Sequence, residues 1–289
     1  MPEAQLGIIG GSGLYDIEGL TDVVEVSVDT PFGAPSDSIT VGRLGNTSIA
    51  FLPRHGRGHR ISPTELNARA NIWALKSLGV THVVSVNACG SLREELRPRD
   101  VVVPDQLIDF TRLRGPNTFF GNGIVAHIGF ADPFCPHLSR LLADAIRQVP
   151  GATVHEGATF IVIEGPRFST KAESNVFRSW GADIIGMTAS PEAQLAREAG
   201  LCYACMAHVT DYDVWHETEE PVTVETVIAN LQANIGIARQ AILILAGKFP
   251  LECERACRDA LQNAIMTDPK VVPDDTRKRL ELILGRYLP

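Results

Sequence analysis

Short runs of Val, Ile and Leu recur along the chain and alternate with stretches whose apolar residues return every three or four positions. LGIIG (6–10), TSIAFLP (47–53), THVVSVNA (81–88), DVVVPDQLIDF (100–110), ATFIVIEG (158–165), ADIIGMT (182–188) and LCYACMAHV (201–209) are continuous apolar runs. Runs of this kind mark strands covered on both faces of a sheet. Helical periodicity lies between them, at 66–79, 136–149 and 190–200, followed by a long helix from about Val224 to Lys248. The 190–200 segment carries cap signals, with Ser190 ahead of Pro191 and Glu192 and Gly200 at its end. Alternating strands and helices predict an α/β fold.

From Pro250 the character changes to charged helical patterns, ECERACRDALQNAIM and DDTRKRLELILGRYL, with VVPDD between them. The expected division is a single α/β domain over 1–249 and a helical C-terminal extension over 250–289, packed on the core or at a subunit contact. No internal repeat or low-complexity linker interrupts the chain.

Composition narrows the function classes. The formal net charge of −8 opposes general nucleic-acid binding, which needs a basic face to neutralise phosphates. Small anions stay possible, because one or two arginines in a pocket set the local field. No apolar run approaches the roughly 20 residues of a membrane helix, and no basic region precedes the first strand, so a cytoplasmic location is expected. The six cysteines are expected to be reduced core residues. Cys202-x-x-Cys205 and Cys253-x-x-x-Cys257 invite a zinc reading, but a strand over 201–209 turns Cys202 and Cys205 to opposite faces, so no metal is expected.

The turn Gly10-Gly11-Ser12-Gly13 follows a buried strand, a usual place for a phosphate. A dinucleotide fingerprint fails because Asp16 stands where the third glycine belongs, and the following residues turn strand-like rather than helical. The Walker lysine is absent, and no helix stands behind Ser12 as a nucleophile elbow requires. Other polar clusters also follow strands: LPRHGRGH (52–59), ACGSLREEL (88–96), IEGPRFST (163–170), GMTASPE (186–192) and VTDYDVW (209–215). Loops so placed converge on one edge of an α/β sheet, where ligand sites form.

Together GIIGGSGL, DTPFGAPSD, RHGRGH, NARANIWAL, ACGSLREE, DQLIDFT, EGPRFST, GMTASPE and TDYDVW resemble the trimeric purine nucleoside phosphorylases over residues 6–245. The resemblance implies one domain with a distorted mixed β-sheet surrounded by helices. It implies a homotrimer or dimer of trimers, with no metal or organic cofactor. The implied reaction is a pentosyl transfer serving salvage: phosphate, a co-substrate, attacks C1′ of a nucleoside and releases the free base. Carried over residue by residue, Ser12, Arg54, His55, Asn87, Ala88 and Thr188 would bind phosphate. A guanidinium with hydroxyl and amide donors is a chemically sound oxyanion site. Met187 would lie against the ribose and Phe168 against the purine, while His127 would reach the 5′ pocket of a neighbouring subunit. Asp211 would be the general acid at purine N7, and Asp213 would accept from a 6-amino group.

Base choice follows from the same positions. Members for 6-oxopurines carry Glu where Ser169 stands and Asn where Asp211 stands, so this chain matches the branch that takes adenine nucleosides with a 5′-methylthio group. Asn87 and Gly186 depart toward the 6-oxopurine pattern near phosphate and sugar, which leaves adenosine open as a secondary substrate. Val224 is the expected apolar wall of the 5′ pocket. Two alternatives remain: a phosphorylase for methylthioinosine or other 6-oxopurine nucleosides, and a non-catalytic nucleotide-binding protein.

Overall fold

The apolar runs assemble into one mixed sheet of eleven strands among the described residues, which are 3–11, 14, 17–217 and 222–288 of the computed structural model. The first half contains β1 (Leu6–Gly10), β2 (Leu20–Val26), β3 (Ile39–Leu44), β4 (Thr47–Pro53), α1 (Ala68–Ser77), β5 (His82–Ser91), β6 (Val101–Val103) and β7 (Gln106–Phe110). Then come α2 (Pro136–Arg147), β8 (Val154–Glu156), β9 (Thr159–Ile163), α3 (Lys171–Ser179), β10 (Ile184–Gly186), α4 (Ala189–Glu198) and β11 (Cys202–Asp211). The chain ends in α5 (Val224–Ala246) and three short helices, α6 (Arg255–Arg258), α7 (Asp274–Arg279) and α8 (Glu281–Leu284).

Four parallel strands make the centre, in the order β4-β1-β5-β11. Their carboxyl ends therefore reach the same edge, carrying Gly10, Arg54, Asn87 and Asp211 there. β5 is the branch point. It pairs with β1 and β11 along its length, and its last residues, Gly90 and Ser91, pair with β10 running antiparallel. β10 and β9 then run parallel to each other, so Met187 and the segment after Ile163 arrive at the site from another direction. One face of the sheet packs against α1 and α4, the other against α2 and α5.

Several sequence expectations are revised. The run 100–110 splits at Pro104 into β6 and β7, since proline cannot donate to a ladder. Ser190 stands at a kink in α4 with the extended backbone of an N-cap ahead of Pro191, while its hydroxyl is turned to Asp109, donating at 2.6 Å. The helical pattern at 252–266 yields only α6, because the strand-like bridge Ala126↔Ile265 draws the later residues out of helix. Residues 250–288 nonetheless share the core, burying Cys257, Leu261, Ala264, Val272, Leu280 and Ile283. α5 reaches a mean hydropathy of 1.3 over an 18-residue window, long and apolar enough to cross a membrane by length and composition. Its Asn234, Arg239 and Gln240 break any continuous run, and Ala238, Ala241, Ile242 and Leu245 bury one face against the core.

Candidate functional site

Arg54 follows β4 directly, and its guanidinium turns inward with only 3% of its surface exposed. Its Nε donates to Glu192 Oε1 at 2.6 Å and its Nη2 to Glu192 Oε2 at 3.1 Å, a fork-to-carboxylate pair. Nη1 donates to the Val86 carbonyl at 2.9 Å, and Nη2 also meets Ser85 Oγ at 2.5 Å. Glu192, in the first turn of α4, also accepts from the Tyr203 hydroxyl at 3.0 Å. This knot ties the ends of β4 and β5 to α4 and β11. Burial disfavours the Arg54 charge, and the Glu192 carboxylate more than restores it, so the guanidinium stays protonated.

Beside the knot, Asn87 and Thr188 meet. Asn87 Nδ2 donates to Thr188 Oγ1 at 2.6 Å, while Asn87 Oδ1 lies 2.6 Å from Ser85 Oγ. Thr188 occupies the N-cap position of α4, yet its side chain makes no cap bond. As the hydroxyl already accepts, its proton is left to donate elsewhere. His55 lies next to Arg54 with Nδ1 at 2.8 Å from the Ile61 carbonyl, which can only accept. Burial, then the Arg54 charge, lowers the imidazole to about 4. The ring is therefore neutral at pH 7 and presents Nε2 as a lone pair. Ala88, half-buried, follows Asn87 along β5. Ser12 lies outside the described residues.

The second half of the site is a pair of carboxylates. Between Val209 and Asp211 the β11–β5 ladder slips, leaving Thr210 as a bulge that re-aims the strand end. Asp211 Oδ2 accepts from the Thr210 hydroxyl at 2.6 Å and Oδ1 from the Asp213 amide at 2.8 Å. Burial raises the Asp211 carboxyl to about 6 against these two bonds, and the Asp213 charge adds to the rise. Asp213 itself has a left-handed backbone, φ 52°, and a buried Oδ2 without a hydrogen-bond partner. Burial raises its carboxyl too, partly offset by the Ser174 and Ser169 hydroxyls. The Oγ atoms of Ser169 and Ser174 are likewise buried and unpartnered in hydrogen-bonding geometry. Asp213 Oδ2 and the two hydroxyls face one another without a well-formed hydrogen bond, which leaves them capacity for a ligand's polar group.

Gly90 makes room for this pair. A Cβ there would lie 3.0 Å from Asp211 Oδ1 and 3.3 Å from Asp213 Cβ. Trp215 Nε1 donates to the Ser91 carbonyl at 2.7 Å, and the Arg178 guanidinium stacks on its ring, which holds the 211–216 turn against the end of β5. Arg114 donates to the carbonyls of Ile163, Glu164 and Met187, joining the loop after β9 to the loop after β10. Met187 and Phe168 are half-buried on those two loops.

Other predicted residues are not gathered in. His127 is exposed on the segment whose backbone pairs with Ala264, and no hydrogen bond among the described residues joins it to the carboxylates. Val224 opens α5 and is 57% exposed. Sequence reasoning missed Glu192, Ser85, Tyr203, Ser174, Arg114 and Gly90. Glu192 and Gly90 stood inside quoted motifs, whereas Tyr203 and Ser85 sit within strand patterns that carry no sign of a partner. Cys202 and Cys205 do face opposite sides of the sheet, but the Sγ atoms of Cys135, Cys202 and Cys257 lie within 4.8 Å of one another, away from this site.

Comparison with known proteins gives a consistent result. The phosphorylase superfamily profile matches residues 5–246. The S-methyl-5′-thioadenosine phosphorylase of Geobacter sulfurreducens is 52% identical, over 99% of this chain and 100% of that protein. A methylthioadenosine phosphorylase from an antarctic soil metagenomic library is 46% identical with a TM-score of 0.92, over 98% of this chain and all of that one. A variant of the Schistosoma mansoni adenosine/methylthioadenosine phosphorylase, solved with methylthioadenosine, is 36% identical with a TM-score of 0.81, over 98% of each chain.

Proposed function

The chain belongs to the phosphorylase superfamily, and from that premise we propose that it cleaves S-methyl-5′-thioadenosine with phosphate, giving adenine and S-methyl-5-thio-α-D-ribose 1-phosphate. A phosphate oxygen attacks C1′ as the C1′–N9 bond breaks, and the bonding electrons pass into the purine. The sugar passes through an oxocarbenium-like state. N7 gains basicity and takes the proton of Asp211, whose carboxyl at about 6 holds a proton on part of the molecules at neutrality. Asp213 Oδ2 and the Ser169 hydroxyl are the unpartnered groups that read the 6-amino position. A 6-oxo group would face carboxylate oxygens instead, a mismatch that leaves buried polar atoms unpaired.

Phosphate is held by Thr188, which has a proton to give, by Ser12, and by backbone amides near Asn87 and Ala88. The Arg54 charge, fixed by Glu192, supplies the field. Neutral His55 accepts a hydrogen bond from the P–OH group at Nε2 and adds no charge. No organic cofactor enters the reaction. Met187 and Phe168 flank sugar and base. His127 reaches the 5′ pocket of a neighbouring chain, in a cytoplasmic trimer or dimer of trimers, and Val224 is that pocket's apolar wall; the exposure of His127, Leu113 and Val125 supports the assembly. Because Asn87 adjoins the sugar side, plain adenosine is a slower second substrate.

The observation that carries the proposal is the buried Asp211–Asp213 pair, with both carboxyls raised by burial and Asp213 Oδ2 without a hydrogen-bond partner. The test is incubation with methylthioadenosine or methylthioinosine, with and without phosphate, following the free base. Phosphate-dependent adenine release is expected. Preference for methylthioinosine, cleavage without phosphate, or no cleavage of either nucleoside overturns it.

A further inference from the structure

Four of the six cysteines gather outside the carboxylate site, at the opposite end of β11. Cys202 opens that strand, Cys135 is the N-cap of α2, and Cys253 and Cys257 flank the start of α6. The Sγ atoms of Cys135, Cys202 and Cys257 lie within 4.8 Å of one another, and Cys253 Sγ lies 2.9 Å from Cys202 Sγ. We propose that these four thiols form a structural site for a single zinc-class ion that fastens the 250–288 segment to the sheet.

The geometry fits one ion and no cluster. Tetrahedral zinc with bonds of about 2.3 Å needs sulfur atoms about 3.8 Å apart; three of the thiols lie within 4.8 Å of one another, and Cys253, against Cys202 but outside that group, turns in to be the fourth donor. An all-sulfur donor set selects zinc, cuprous copper or iron over the hard cations. The donors come from three elements distant in sequence, as in sites where metal binding reports folding. Cys135, Cys202 and Cys257 are buried, while Cys253 is partly exposed and gives the ion an entry. Binding releases the thiol protons and leaves an anionic centre; Lys76 brings positive charge toward Cys253 and Arg197 toward Cys257. Cys205, three residues after Cys202, takes no part because it points to the other face of the sheet, where its thiol meets Asn87. The motif visible in sequence, Cys202-x-x-Cys205, is thus the wrong pair, and the tertiary fold supplies Cys202 with other partners.

The test uses the full chain, reduced with a non-thiol reductant, freed of metal and titrated with Co²⁺, then Zn²⁺. One Co²⁺ per chain is expected, with the intense thiolate-to-cobalt charge-transfer band and visible bands of a tetrahedral sulfur site, all erased by one equivalent of Zn²⁺. Cys205→Ser should keep that spectrum, while Cys253→Ser and Cys257→Ser should weaken or abolish it. Zinc should raise the thermal midpoint of the wild-type protein, and a chelator should reverse the shift. A folded, reduced protein that binds no Co²⁺, or binds it without the thiolate band, overturns the site. So does freshly isolated protein whose mass shows these thiols paired as disulfides and which, once reduced, binds no metal. The wild-type spectrum decides the matter even where a cysteine variant fails to fold.

Discussion

Asp211 is costly for the fold, and the proposed reaction puts the raised carboxyl to use. Its carboxyl rises from 3.8 unfolded to about 6 folded, so the native state binds the proton more tightly. Stability therefore falls as pH rises from about 4 to about 6 and levels off above, and at neutral pH the buried charge costs up to about 3 kcal/mol. Asp211→Asn should flatten that pH dependence and raise the thermal midpoint in a calorimetric scan at pH 7. Asp211→Ala should lower kcat by about 10²–10⁴-fold with the circular dichroism unchanged. In the wild-type protein, kcat/KM should fall with rising pH above about 6 as the acid form is lost. Gly90 is the complementary case. A Cβ there would press Asp211 Oδ1 at 3.0 Å, and Thr210 and Asp213 leave that carboxyl little room to yield. Gly90→Ala should lower kcat/KM by up to about 100-fold, measured at fixed phosphate.

At the scale of elements, the site depends on strand ends being pinned to one another. Glu192 is the main pin, since it binds Arg54 after β4, Tyr203 from β11 and, through Ser85, β5. Glu192→Ala leaves a buried guanidinium uncompensated, which should cost about 3–5 kcal/mol in urea unfolding. A surviving folded fraction should also show a raised KM for phosphate. α3 is held by a capping box in which Thr170 and Glu173 exchange bonds, and it delivers Ser174 to Asp213. Its signal, TKAE, was present in the chain and outside any apolar period, so hydrophobic patterning alone passed over it.

For the whole molecule, the sheet brings Arg54, Asn87, Thr188 and the Asp211–Asp213 pair together within one chain. His127 and Val224 sit exposed, and in the proposed assembly His127 would enter a neighbouring subunit's pocket. His127→Ala should raise KM for the nucleoside without altering the molar mass by light scattering. Dilution that dissociates the assembly should abolish turnover; an active monomer would refute a shared pocket.

The chain alone settled the α/β class, because uninterrupted Val/Ile runs with helical periods between them admit few other arrangements. Its motifs also pointed to Arg54, Thr188, Asp211 and Asp213, each of a type and position that a strand-end loop would use, and the fold places them at the ends of neighbouring strands. It could not say what those residues touch. The Glu192–Arg54 pair spans 138 positions, the space for Asp211 depends on a glycine in another strand, and Cys202 finds partners 67 residues before it and about 50 after it. Such contacts arise from the branching of β5 and the return of the C-terminal segment. Local propensity carries no record of long-range packing, so only the tertiary structure decided them.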